Sequence, residues 1–145
     1  MERDYPPRPW VGVGVIVVRD GRVLLIQRGR EPGRGLWALP GGMVDLGETM
    51  RQAAAREALE ETGLKVEVGD VYWVADSIVR DDAGRVKYHN AIVDFLATAP
   101  KGEPACADDA LDVRWVGPDD VQELPLTPSM WPLIEKLFGR TYRRG

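Results

Sequence analysis

Long apolar, β-branched runs dominate the first half of the chain, one helix-forming run interrupts them, and the punctuation between runs is Gly, Pro and Asp. Trp10 to Val18 is apolar with Gly12 and Gly14 interleaved, which predicts a buried strand. Asp20-Gly21 is a hairpin signal, and Val23-Leu24-Leu25-Ile26 resumes as the partner strand. Residues 29–35 form a loop carrying Arg30 and Arg34, followed by a short strand, Trp37-Ala38-Leu39, that ends at Pro40-Gly41-Gly42. Met50 to Thr62 contains no Gly or Pro and is rich in Ala, Arg, Glu and Leu, so it predicts a helix. Thr49 suits its N-cap and Gly63 its C-terminal stop, with Ala54, Ala58 and the Leu59 region turned inward. Residues 66–68, 71–79, 86–97 and 113–116 read as strands, with a turn at Asp81-Asp82-Ala83-Gly84. Pro118 to Glu123 predicts a helical turn, and Ser129 to Phe138 a closing helix with Leu133, Ile134 and Leu137 inward. Residues 1–9 are polar and proline-rich, an extended arm. Strands and helices mix without strict βαβ alternation, so the expected class is α+β, a mixed sheet with helices packed on it.

Composition narrows the function classes. At 145 residues the chain fits one domain, and 44% apolar with 29% charged residues suits an ordinary globular core. A net charge of −4 argues against nucleic acid or anionic membranes as partners held by bulk attraction. Cys106 is the only cysteine, which excludes an intrachain disulfide. No apolar run approaches the roughly 18 residues of a membrane span, and the first residues lack the apolar core of a signal peptide. The expectation is a cytoplasmic protein.

The chemistry concentrates in the predicted helix. Glu57, Glu60 and Glu61 stand at i, i+3 and i+4, so on a helix they share one face. Like charges crowded there are mildly destabilising without a counter-ion, and a hard divalent cation such as Mg²⁺ supplies one between carboxylates and substrate phosphates. The residues therefore point to a metal-dependent hydrolase of phosphate esters or anhydrides. The plain alternative for such a cluster is a solvated charged face.

Written out, the segment is Gly42, five residues, Glu48, seven residues, then Arg56-Glu57-Ala58-Leu59-Glu60-Glu61-Thr62-Gly63-Leu64. This resembles the signature box of the Nudix hydrolases at every charged and glycine position, and Leu36 to Gly42 resembles the family's approach to the box. Ala58 departs from it, since a bulkier aliphatic is often found there. The resemblance implies a mixed sheet sandwiched between helices, an α/β/α arrangement with the box as loop–helix–loop. It also implies hydrolysis of a nucleoside diphosphate linked to another moiety, by water attack at phosphorus with Mg²⁺, for which Mn²⁺ can substitute. By position, Glu57, Glu60 and Glu61 become metal ligands with the Gly42 carbonyl, and Glu60 and Glu61 act directly in catalysis. Arg56 is expected to pair with Glu48 and hold the loop against the helix, although Glu48 can alternatively assist the metal-bound water.

In some relatives the catalytic base is a box glutamate, and in others an acidic residue in a loop before a late strand. Asp108 and Asp109 sit in such a loop, with Asp109 preferred. Arg28, at the end of the second strand, and Arg30 or Arg34 in the next loop are the phosphate-binding candidates, with Arg28 best placed. His89 reads as a packed or edge residue rather than a base. Trp37, Trp73, Trp115 and Trp131 read as core, with one of them, or Tyr72 or Tyr88, available to stack on a nucleobase. Gly12 and Gly14 precede no helix and make no dinucleotide fingerprint.

The region beyond the box, Val79-Arg80-Asp81-Asp82, holds neither the proline of one ADP-ribose pyrophosphatase group nor the tyrosine of dinucleoside polyphosphate hydrolases. The chain from Arg85 to Phe95 is similar to compact bacterial Nudix proteins of ADP-ribose pyrophosphatase type. ADP-ribose or another nucleoside diphosphate sugar is therefore the leading substrate expectation. The alternatives are a (d)NTP pyrophosphatase that cleanses the nucleotide pool and a nucleotide-sensing domain without turnover. The family resemblance makes a homodimer plausible, with Pro6 to Trp10 contributing.

Overall fold

A computed structural model describes residues 4–107 and 109–143. In chain order the elements are β1 (Trp10–Arg19), β2 (Arg22–Arg28), β3 (Trp37–Ala38), β4 (Gly41–Met43), α1 (Met50–Thr62), β5 (Glu67–Arg80), β6 (Val86–Thr98), β7 (Ala110–Val116), a 3₁₀ turn (Val121–Glu123) and α2 (Met130–Phe138). β1 is central. Its first half pairs antiparallel with β4 on one side and parallel with β6 on the other, and its end pairs with β2. β5 extends the sheet beyond β6, while β3 and β7 flank β2.

The alternation along β1 separates two cores, because successive side chains of a strand point to opposite faces. Val13, Val15 and Val17 join Phe95 and the α1 residues Ala53, Ala54 and Ala58 in one. Ile16 joins Trp37, Leu39 and the α2 residues Met130, Leu133 and Ile134 in the other. The sheet is thus sandwiched between α1 and α2, the expected architecture. Alanines on the buried side of α1 let the helix lie close to the sheet, and Ala58 is fully covered there. Leu59, expected inward, is 51% exposed. It stands one residue past Ala58, about 100° round the helix and off the buried stripe.

Several boundaries differ from the sequence expectation. The hairpin at Asp20-Gly21 forms with both residues at positive φ, as a primed turn requires. Gly41–Met43 is a strand that the pattern gave no sign of, since it pairs with Gly12–Gly14 through backbone alone. The expected strands 66–68 and 71–79 are one strand, β5, whose register shifts around Gly69-Asp70. β7 begins three residues earlier than expected, where Ala110 pairs with Arg28. Only residues 121–123 of the expected turn at Pro118 to Glu123 are helical. The described part of the arm is docked: Tyr5 donates its amide to the Lys87 carbonyl (2.7 Å) and its hydroxyl to Asp81 (2.9 Å).

α1 starts as expected. Thr49 Oγ1 accepts the Gln52 amide at 3.1 Å, and Gln52 Oε1 accepts the Thr49 amide at 2.9 Å, a reciprocal capping box. Gly63 closes the helix at φ 74°, donating to the Leu59 carbonyl. Replacing Thr49 by Ala should cost about 1 kcal/mol. In thermal unfolding that corresponds to a midpoint lower by roughly 2–4 °C for a chain of this size.

Candidate active site

The site is built where the loop after β4 meets the second half of α1. Arg56 is its centre. Its Nε and Nη2 donate to the two carboxylate oxygens of Glu48 at 2.7 and 2.9 Å. Nη1 donates to Glu57 at 2.7 Å and to Glu60 at 3.2 Å, and Nη2 also reaches the Met43 carbonyl at 3.0 Å. Glu48 further accepts the Asp45 amide at 3.0 Å. The Arg56 hydrogen bonds, with the Asp45 amide second, hold the Glu48 carboxyl at about 2, well below its ordinary 4.5. Glu48 in turn is the main cause that pushes the Arg56 guanidinium up. Both Glu48 oxygens are therefore committed to tying the loop to the helix.

Glu61 and Glu57 are set by glycines. Glu61 accepts the Gly41 amide at 2.7 Å. A Cβ on Gly42 would lie 2.5 Å from the Glu57 carboxyl carbon, so this carboxylate lies directly on the Gly42 backbone. Glu57, Glu61 and Gly42 line one end of a cleft of about 670 Å³, within the range of small-molecule sites. Glu60 is 45% exposed and stands outside the cleft wall. Among the described residues no three acidic, His or Cys side chains are gathered as a ready ligand set. The expected trio is parted by the Arg56 guanidinium between Glu57 and Glu60.

The same cleft collects most of the remaining candidates. Arg28, at the end of β2, and Arg30 just beyond it line the cleft, as does Asp109 in the turn before β7, where it is ion-paired to Arg30. Gly29 is required there, because a Cβ would overlap the Asp109 carbonyl. Arg34 is exposed and outside the cleft; its amide caps Glu31 at 3.0 Å. Asp108 lies outside the described residues. Of the aromatic candidates, Tyr88 lines the cleft, whereas Trp37 is buried in the α2-side core, with Arg114 over its ring, and Trp73 and Tyr72 lie under Lys136. Trp115 lies under Arg19, and Trp131 packs on Tyr142. His89 sits in β6 opposite Ile78, away from the cleft lining.

One residue escaped the sequence reading as a site residue. Asp94, in the middle of β6, lines the cleft and is only 6% exposed. Burial raises its carboxyl to about 6. The available signal was an acid inside the apolar run Ile92-Val93-Asp94-Phe95-Leu96, a place where strands disfavour Asp.

The NUDIX domain family model matches residues 8–137. The chain belongs to the Nudix family. Among its relatives, an ADP-ribose pyrophosphatase from Methanocaldococcus jannaschii is 38% identical over 117 residues, which are 81% of this chain and 65% of that protein. A CTP pyrophosphohydrolase from Escherichia coli is 36% identical over 130 residues, 88% of this chain and 90% of the relative. The crystal structure of a MutT NUDIX hydrolase from Burkholderia pseudomallei superposes with a TM-score of 0.77 at 37% identity, covering 88% of this chain and 97% of the other. The family and these pyrophosphatase relatives place the chain among hydrolases of acid anhydrides.

Nudix enzymes work with divalent cations, and the donors here suit one. Glu57, Glu61 and the Gly42 backbone offer hard oxygen atoms at one end of the cleft, the donor type that Mg²⁺ and Mn²⁺ take. When bound, such an ion polarises phosphoryl oxygens and lowers the pKa of coordinated water.

The Arg56–Glu48 pair has a signature in pH. The folded-state pKa of Glu48, about 2, is below the ordinary 4.5, so its stabilisation is complete above pH 4.5 and is lost as pH falls toward 2. Glu48→Gln should be less stable than the parent at pH 7, and the difference should close between pH 4.5 and 2. Urea unfolding at a series of pH values measures this directly. A constant difference across that range would contradict the assignment.

Proposed function

We propose that this Nudix domain is a Mg²⁺-dependent pyrophosphohydrolase of nucleoside diphosphate derivatives, with ADP-ribose or another nucleoside diphosphate sugar as substrate. The observation that carries the reading is the polarity of the cleft. Glu57, Glu61 and the Gly42 backbone line the cleft with Arg28 and Arg30, and Leu39, Ile92 and Met130 add apolar surface to it. A nucleoside diphosphate has both characters, a polyanion joined to a flat, largely apolar base.

In this reading Glu57, Glu60 and Glu61 would hold the cation, with Glu60 exchanging its contact with Arg56 for it. Arg28 and Arg30 neutralise phosphate oxygens by forked hydrogen bonds. Water oxygen bonds to phosphorus, the anhydride P–O bond breaks, and its electron pair leaves on the bridging oxygen. Asp109 accepts the water proton, in a position kept by Arg30. Arg56 and Glu48 act by positioning the loop, without contact to substrate.

The resemblance to the M. jannaschii protein, named an ADP-ribose pyrophosphatase, supports the sugar-linked substrate. The E. coli relative, named a CTP pyrophosphohydrolase, supports a second reading, hydrolysis of a (d)NTP to monophosphate and pyrophosphate. A chromatographic screen with Mg²⁺ over ADP-ribose, other nucleoside diphosphate sugars and (d)NTPs separates them. ADP-ribose should give AMP and ribose 5-phosphate. Turnover of (d)NTPs alone would establish the second reading, and silence across the panel with retained nucleotide binding would establish a sensor domain.

Within the leading reading, Glu60→Gln and Glu61→Gln should each lower kcat by about a hundredfold or more with the fold intact by circular dichroism. Parent-like turnover in both variants would refute the metal assignment.

A further inference from the structure

Asp94 is a polar group on the cleft floor that the hydrolytic chemistry does not use. It stands in β6 between Gly14 of β1 and Trp73 of β5, on the sheet face that Ile16 and Leu96 share. Its space exists because Gly14 has no side chain: a Cβ there would overlap Asp94 Oδ1 and lie 3.2 Å from Leu39 Cδ1. The side chain is 94% buried, and no described residue gives its carboxyl a hydrogen bond or a counter-charge. Its remaining exposure opens into the cleft. A buried acceptor left without a partner is costly, so a group that supplies one gains correspondingly.

The surroundings define that group. Phosphates belong with the arginines and the cation-binding end, and a carboxyl would repel them. At Asp94, Gly14 has no side chain and Leu39 lies close by, and Gly12, Ile92 and Met130 line the same cleft, which suits the face of an aromatic ring. A ring lying over Asp94 would remove its last contact with water, and a charge buried that way is strongly disfavoured. The neutral acid instead offers one donor and one acceptor side by side. Adenine presents the complement on adjacent atoms, an amino donor at N6 and an acceptor at N1. Guanine's N1 and N2 donors suit an ionised carboxylate, while its N1 donor and O6 acceptor also suit a neutral acid, so the choice of adenine follows the ADP-ribose reading of the cleft.

We propose that Asp94 is the base-reading residue of the cleft, pairing as a neutral acid with the N1 and N6 atoms of an adenine that lies over Gly14. The proposal rests on the nucleotide reading of the cleft and specifies its base. The carboxyl is already raised by burial to about 6, so little further change is needed to protonate it under a ring. Other titratable groups share the cleft. Glu57 and Glu61 reach it from α1, Arg28 from the end of β2, Arg30 from the loop after it, and Asp109 from the turn before β7. Asp76 and Tyr88 reach it from β5 and β6, while the lining residues of β1 and of the segment 127–130 carry no titratable side chain.

The test compares the parent with Asp94→Asn and Asp94→Leu. The amide keeps one donor and one acceptor but does not titrate; the leucine keeps bulk and loses both. AMP and GMP binding is measured by calorimetry from pH 5.5 to 8.5, and kcat and KM for ADP-ribose alongside. The parent should prefer AMP, with affinity falling as pH rises through neutrality. Asp94→Asn should keep the preference with a flat pH profile. Asp94→Leu should bind AMP about ten- to a hundredfold more weakly, with KM raised and kcat little changed. Equal binding of AMP and GMP by the parent, or no binding of either, would overturn the proposal. So would GMP preference lost in Asp94→Asn, which would reveal an ionised carboxylate reading guanine. An AMP preference unchanged in both variants would also remove Asp94 from recognition. The hydrolase reading fails separately: no Mg²⁺-dependent cleavage, with AMP discrimination intact, would refute turnover and leave Asp94 as the base reader.

Discussion

One guanidinium joins the pieces on which the site depends. Arg56 binds Glu48 with two parallel hydrogen bonds, reaches Glu57 and Glu60 on its own helix, and ends on the Met43 carbonyl. Loop, helix and the end of β4 are therefore fixed relative to one another by one planar donor fork, a geometry lysine cannot reproduce. Three carboxylates so close together would repel, and Arg56 offsets that repulsion from within the helix. Glu60, on the long 3.2 Å contact and exposed, is the member held least tightly.

Close backbone approach is the second constraint. Gly41 packs where a Cβ would overlap the Val13 carbonyl, Gly42 carries the Glu57 carboxylate, and Gly14 makes room for Asp94. Gly42 and Gly14 thus let a carboxyl lie directly on a strand, and Gly41 lets two strands approach closely. Glu61 completes the pattern by accepting the Gly41 amide, so the helix face is docked to β4 by its own candidate ligands. Candidate ligands and structural contacts are here the same residues, and the cleft is lined by them.

Two acids in one molecule illustrate how environment divides roles. Glu48, tied to a cation and an amide, is held far down and stays ionised. Asp94, with apolar neighbours and no partner, is pushed up toward neutrality. The first tightens a loop, and the second is suited to exchange hydrogen bonds with a neutral ring.

The sequence by itself determined the elements that rest on local chemistry. These include the Thr49 capping box, the Gly63 stop, the Asp20-Gly21 hairpin, the inward alanines of α1 and the spacing that puts Glu57, Glu60 and Glu61 on one face. Such features depend on dihedral preference and helical period, which neighbours in the chain fix. Only the tertiary structure decided that Gly41–Met43 is a strand, that β5 runs unbroken through Gly69, that Leu59 faces solvent, and that Arg30 rather than Arg34 borders the cleft. It alone placed Asp94 beside Gly14, and Asp109 against Arg30, from residues 80 and 79 positions apart. Those facts depend on which backbone lies against which, and strand pairing between distant segments leaves no local period to read.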